Sequence, residues 1–268
     1  MLLYIYMQTI TYLDDCFNKD KLSRWDERAM PLKVYIGKFR WYKSQGTNDE
    51  LKYTQMIIDA FNLWENLTSG LVSFERTTNL YDSNINIDWK RVDRKSLGSC
   101  TFNFDKLGRY YSAEVSIGLS DGIIHHQYMD ENEVFHTILH EIGHSVGLGH
   151  SKTKGDIMYV PHEYGTVNIS KNDLETLKWL YRFPVGKSEQ EILAQYSSYK
   201  ATSIDDLVQK INQEGFKSDF EKTKEEMIKK TPEKDLLKEN QNIGDLKKYL
   251  LQINNFKINF QPKLHDKK

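Results

Sequence analysis

The run His140-Glu141-Ile142-Gly143-His144-Ser145-Val146-Gly147-Leu148-Gly149-His150 decides how this chain is read, because it gathers three histidines and a carboxylate in one short stretch. Positions four apart on an α-helix share a face with Cβ atoms about 5–6 Å apart, so His140 and His144 can both reach one ion at about 2.1 Å. Glu141 lies one step round from His140, beside such an ion rather than on it. From there its carboxylate can take a proton from metal-activated water and hand it to a leaving amine. A third ligand six residues past His144 cannot come from the same straight helix, so the chain has to turn. Gly147 permits the turn, since glycine adopts the positive φ of a helix C-cap without steric cost. His150 then swings back and leaves the fourth position open. The spacing points to zinc-assisted hydrolysis of peptide bonds; the competing reading is an amphipathic helix whose histidines are only buried or solvated.

The flanks predict a helix over residues 131–146. Asp130 and Glu133 have the form of a capping box, and Val134, Ile138, Leu139 and Ile142 recur at helical spacing. His136 falls one turn before His140 on the same face. Catalytic zinc keeps three protein ligands as a rule, so His136 is expected to line a pocket or to hydrogen-bond.

The pattern H-E-x-x-H-x-x-G-x-x-H, followed by Asp156-Ile157-Met158-Tyr159, resembles the metzincins. Ser151, directly after the third histidine, is similar to the matrixins, the matrix-metalloproteinase family within that clan. Pro31 to Ile36 resembles the family's first strand and Ile57 to Trp64 its first helix. Val72 to Arg76 and Asn84 to Ile87 resemble the next two strands, and Ser170 to Tyr181 the closing helix. The resemblance covers about residues 28–184. It implies an α+β fold with a twisted, mostly parallel sheet, the active-site helix beneath it, a methionine turn and a closing helix. It also implies one catalytic zinc on His140, His144 and His150, with Glu141 as base and Met158 flooring the site; Gly147 and Tyr159 support it. Calcium is left undecided.

Several departures stand out. Cys16, in Leu13-Asp14-Asp15-Cys16, lacks the surroundings of the family's propeptide cysteine, although it or a neighbouring aspartate could cover the metal. Trp89 to Gly118 holds no histidine for the family's second, structural zinc. Val160 intervenes before Pro161-His162-Glu163-Tyr164, so Pro161 and Tyr164, with His136, are candidate pocket residues of altered arrangement. Asn172 and Asp173 stand where the family carries two acidic residues, which argues for little dependence on proteolytic activation.

Between Gly98 and Gly118, the alternating runs 99–104 and 110–119 flank a turn at Asp105-Lys106-Leu107-Gly108. The first run is expected to form the exposed sheet edge, to which a peptide could add as a further strand with broad sequence tolerance; the alternative is a hairpin that only completes the sheet. Composition agrees: 268 residues, 39% hydrophobic and with a net charge of −1, point to peptide or protein substrates and not to nucleic acid. Two cysteines do not make a disulfide framework, and a monomer is expected. The apolar start, Met1 to Met7, lacks a basic n-region and is too short to span a bilayer. The resemblance implies secretion, whereas no clear signal peptide is visible, so the compartment stays undecided.

The expected divisions are residues 1–27, an amino-terminal segment of unknown role; 28–184, the metallopeptidase domain; and 185–268, a Lys/Glu-rich helical tail. Helices are expected from Ser203 to near Gly215, over 217–230 and over 244–256. The alternative to a zinc endopeptidase is a non-catalytic zinc-binding effector or binding protein that works through the tail, against which the intact Glu141 argues.

Overall fold

The computed structural model describes residues 10–38, 48–91, 97–119, 131–163 and 165–215. Asp130, Tyr164, the apolar start and the helices expected at 217–230 and 244–256 lie outside the described residues.

Two short strands, β1 (Phe17–Asn18) and β2 (Lys21–Leu22), pair as a hairpin. The main sheet is built from β3 (Leu32–Ile36), β4 (Phe74–Thr77), β5 (Ile85–Arg91), β6 (Gly98–Phe104) and β7 (Tyr110–Leu119), in the order β4-β3-β5-β7-β6. Every pairing is parallel except β6 with β7. The register sets Val34 beside Ile85 and Ile85 beside Ala113. Alternate residues therefore build one buried face, from Leu32 and Val34 through Ile85, Ile87 and Trp89 to Ala113, Val115 and Ile117. The run 99–104 forms the outer strand β6, as its alternation suggested. Its turn closes as read, with Asp105 Oδ1 accepting the N–H groups of Leu107 (2.8 Å) and Arg109 (3.0 Å).

The helices cover that face. In α1 (Asn48–Leu67), Ile57, Ala60, Phe61 and Trp64 make a buried stripe at helical spacing, and Trp64 Nε1 donates to the Leu139 carbonyl at 3.1 Å. That bond ties α1 to α2 (Glu131–Ser145), which presents Val134, Ile138, Leu139 and Ile142 to the core. Glu133 was expected as the capping partner of Asp130. Asp130 lies outside the described residues; the Glu133 carboxylate is buried, meets His162 Nε2 at 2.5 Å and accepts the Gly165 N–H at 2.8 Å.

The closing helix α3 (Lys171–Arg182) begins with a reciprocal capping box: Asp173 N–H donates to Ser170 Oγ, and Ser170 N–H to Asp173 Oδ2. A second box, Ser188 with Glu191, starts α4 (Glu189–Gln195), a helix not anticipated from the sequence. Residues 204–215 are helical, and Ile192, Ile204, Leu207 and Val208 are all buried. Among the described residues no helix is long and apolar enough to cross a membrane.

Residues 10–29 share the same core. Leu13, Cys16, Leu22 and Trp25 are buried, and Trp25 Nε1 donates to the carbonyl of Ser145 at 2.7 Å, at the end of α2. Arg24 lies over the Tyr181 ring and donates to the carbonyls of Tyr181 (3.0 Å) and Phe183 (3.2 Å). Asp173 joins this segment to the methionine turn, accepting from Tyr12 Oη (2.7 Å) and Ile157 N–H (2.9 Å) besides its own cap. Asp173→Ala would strand those donors in the interior, so it is expected to lower unfolding stability by roughly 3 kcal/mol in urea titration. A loss below about 1 kcal/mol would contradict this role.

Candidate metal centre and catalytic carboxylate

Helix α2 carries His140, Glu141 and His144, and its end is defined by hydrogen bonds. The N–H of Gly147 donates to the carbonyl of His144 at 3.0 Å, and that of Leu148 to Gly143 at 3.0 Å. Gly147 has φ +108°, a left-handed conformation that a side chain would strain. The chain then reverses and brings His150 back to the helix. His144 Nε2 lies 3.1 Å from His140 Nε2 and 3.1 Å from His150 Nε2.

The donor set suits a metal. Nitrogens each about 2.1 Å from a tetrahedral ion stand about 3.4 Å apart, close to the spacing of these rings. Among the described residues, this trio is the cluster of histidine, cysteine and carboxylate atoms able to hold an ion. Nδ1 of His140 lies 2.8 Å from the Ile157 carbonyl, and Nδ1 of His144 2.8 Å from that of Leu148. A carbonyl only accepts, so Nδ1 carries the proton and each Nε2 keeps its lone pair for the shared centre. Burial, reinforced by the neighbouring imidazoles, lowers the pKa of His140 to about 3; burial likewise lowers His144 to about 4. Both rings are therefore neutral at pH 7 and need lose no proton to ligate.

Glu141 is 6% exposed, and its Oε2 is buried without a hydrogen-bond partner among the described residues. Burial raises its carboxyl to about 7, partly offset by the positive charge of Lys90. An orphaned buried acceptor is costly for stability, and a carboxyl of raised pKa next in the chain to His140 suits proton transfer. The first residue of β6 makes room for it. A Cβ on Gly98 would come within 2.5 Å of Glu141 Oε1 and 2.7 Å of its Cγ.

Met158 is fully buried under the helix, its Sδ against Gly143, while its carbonyl accepts the Ser151 N–H at 2.8 Å. Tyr159 N–H donates to the Asp156 carbonyl at 3.1 Å, closing the methionine turn. His136 is buried outside the trio, with its Nδ1 2.5 Å from the Thr166 carbonyl and its ring edge-on to His162. Pro161 is exposed, and Tyr164 is outside the described residues. Cys16 does not cover the histidines: it is buried, its Sγ donates to the Tyr12 carbonyl and accepts the Gly149 N–H at 3.3 Å. Asp15 Oδ2 accepts the His150 N–H at 2.6 Å. Sequence reasoning did not find the contacts of Glu133, Gly98 and Asp15, because their partners are distant in the chain and no periodicity links them.

The sequence model of the Matrixin peptidase family matches residues 37–182. A protein of Heliothis virescens ascovirus 3e, named as a matrix metalloproteinase, is 27% identical over 164 residues, 50% of this chain and 33% of that protein. Interstitial collagenase B of Mus musculus is 26% identical over 169 residues, covering 56% of this chain and 35% of the relative. Interstitial collagenase of Bos taurus is 26% identical over 182 residues, with coverages of 60% and 38%. The matched segment thus spans well under half the length of each of these relatives.

Proposed function

The chain belongs to the matrixin family, and from that premise we propose that it is a zinc endopeptidase in which His140, His144 and His150 hold the metal and Glu141 is the general base. The observation that carries this reading is the convergence of the Nε2 atoms of His140, His144 and His150 at the helix that also carries the buried, unpartnered Glu141 carboxylate oxygen. Zinc held by these three rings would supply Lewis acidity for a scissile carbonyl and for a water near neutral pH. Glu141 would take a proton from the attacking water and return it to the departing amine. Its raised pKa matches this task, since the same group must take and give a proton near neutrality. The Nδ1 contacts of His140 and His144 fix the ring tautomers. Along β6, whose described pairing is with β7, an extended peptide can bond through its main chain. The substrates are therefore unfolded or loop segments of proteins, selected weakly by side chain.

Gly98→Ala tests the link between the edge strand and the base. The added methyl would press on the Glu141 side chain and on Thr137 Cγ2 at 2.7 Å, the three nearest atoms to it belonging to those two residues, so kcat/KM is expected to fall roughly 10–100-fold while zinc content stays unchanged. A variant that cleaves as well as the wild type would show that Glu141 need not occupy this position. The reaction itself is checked by incubating the zinc-loaded chain with a mixture of unstructured peptides and mapping the ends by mass spectrometry. Internal cuts sensitive to a chelator support the reading, and an unchanged mixture counts against it.

A further inference from the structure

We propose that Asp15 is a positioning residue for the third metal ligand, holding the His150 main chain so that its ring meets those of His140 and His144. This rests on the three-histidine reading above.

The three ligands are not held alike. His140 and His144 are fixed twice, by the helix and by an Nδ1 contact to a backbone carbonyl. His150 follows the helix, is exposed, and among the described residues shows no such bond from its Nδ1. Its ring direction depends on its backbone, and the backbone is clamped by the amino-terminal segment. Asp15 Oδ2 accepts the His150 N–H at 2.6 Å, and Cys16 Sγ accepts the preceding N–H, that of Gly149, at 3.3 Å. Gly149 lies against the Asp15 main chain so closely that a Cβ would overlap the Asp15 carbonyl. Downstream, Ser151 N–H is held by the Met158 carbonyl, so only the upstream side of His150 needs this support.

Asp15 can act as a clamp because its own segment is anchored. Leu13 and Cys16 on either side are buried. Asp205, in the 204–215 helix, accepts Thr11 Oγ1 (2.5 Å), Leu13 N–H (2.9 Å) and Asp14 N–H (3.3 Å). Support runs from Asp205 to residues 11–14, then through Asp15 to His150. A carboxylate beside the centre also favours a bound cation, although the hydrogen bond is what sets direction.

The test measures zinc affinity by chelator competition for the full chain, Asp15→Ala and Asp15→Asn, with zinc-free melting curves and Co(II) absorption spectra alongside. Asp15→Ala is expected to bind zinc about 10–100-fold more weakly, the usual effect of removing a group that orients a ligand. Its Co(II) spectrum should change while its zinc-free midpoint stays near that of the wild type. Asp15→Asn keeps an acceptor oxygen and should bind within about threefold of the wild type. Asp205→Ala should weaken zinc in the same direction, and adding it to Asp15→Ala should cost nothing further, because both act through one contact. An Asp15→Ala affinity within about twofold of the wild type overturns the proposal. So do equal losses in the Ala and Asn variants, additive losses with Asp205→Ala, or a loss that tracks zinc-free stability. A wild type that binds no zinc overturns instead the reading beneath it.

Discussion

His144→Ala is expected to abolish zinc retention and peptide cleavage together while leaving the zinc-free fold standing. His144 is the central member of the trio, with both 3.1 Å contacts, so its loss leaves His140 and His150 without their common neighbour. Removing an outer group that merely orients a ligand weakens metal about 10–100-fold; deleting the ligand should exceed that range. The fold loses little by comparison. Its Nδ1 contact to Leu148 is worth about 1 kcal/mol, and the end of α2 remains held by the backbone bonds of Gly147 and Leu148. Metal analysis after dialysis and a zinc-free melting curve check both halves. A variant that keeps zinc at wild-type affinity would exclude His144 from the metal set.

Glu141→Gln is expected to lower kcat/KM by about 10²–10⁴-fold with zinc still bound. The substitution keeps shape and removes the capacity to accept a proton. It also has a stability signature of opposite sign. The carboxyl is raised by burial from 4.5 to about 7, so it ionises less readily in the fold than in the unfolded chain. That contribution favours the zinc-free fold at low pH and is lost as pH rises through about 7. At higher pH the ionised group costs the zinc-free fold on the order of 3 kcal/mol, which glutamine avoids. Glu141→Gln should therefore be inactive yet more stable than the wild type in zinc-free denaturation at pH 8, with the gain shrinking as pH falls through about 7 and vanishing below the ordinary value of 4.5. Retained turnover, or a zinc-free protein destabilised at pH 8, would count against Glu141 as a buried base.

The parts legible in the sequence were those encoded locally. The spacing of His140, His144 and His150 with Gly147 foretold a helix followed by a reversal, and α2 with φ +108° at Gly147 has that form. The alternation of 99–104 and 110–119 foretold an edge hairpin, because strand period and turn chemistry reside in neighbouring residues. What was not legible depends on distant pairing. The contacts of the buried Glu133 carboxylate with His162 and the Gly165 N–H join residues about thirty positions apart, which no local pattern announces. Asp15 and Cys16 suggested a cover over the metal, whereas they reach the backbone of Gly149 and His150. Residues 10–29 carried no recognisable pattern, yet Leu13, Leu22 and Trp25 are as buried as the sheet. The box Ser188 with Glu191 was a local signal for α4 that went unread.

The central claim is that this chain cuts peptides with zinc and Glu141. It is tested most directly by cleavage of a quenched-fluorescent peptide pool with zinc-loaded full-length protein, beside Glu141→Ala and a chelator control. The account predicts turnover by the wild type and loss in both controls, with Glu141→Ala still carrying zinc. A zinc-loaded wild type that leaves the pool uncut, or equal cleavage by Glu141→Ala, would contradict it.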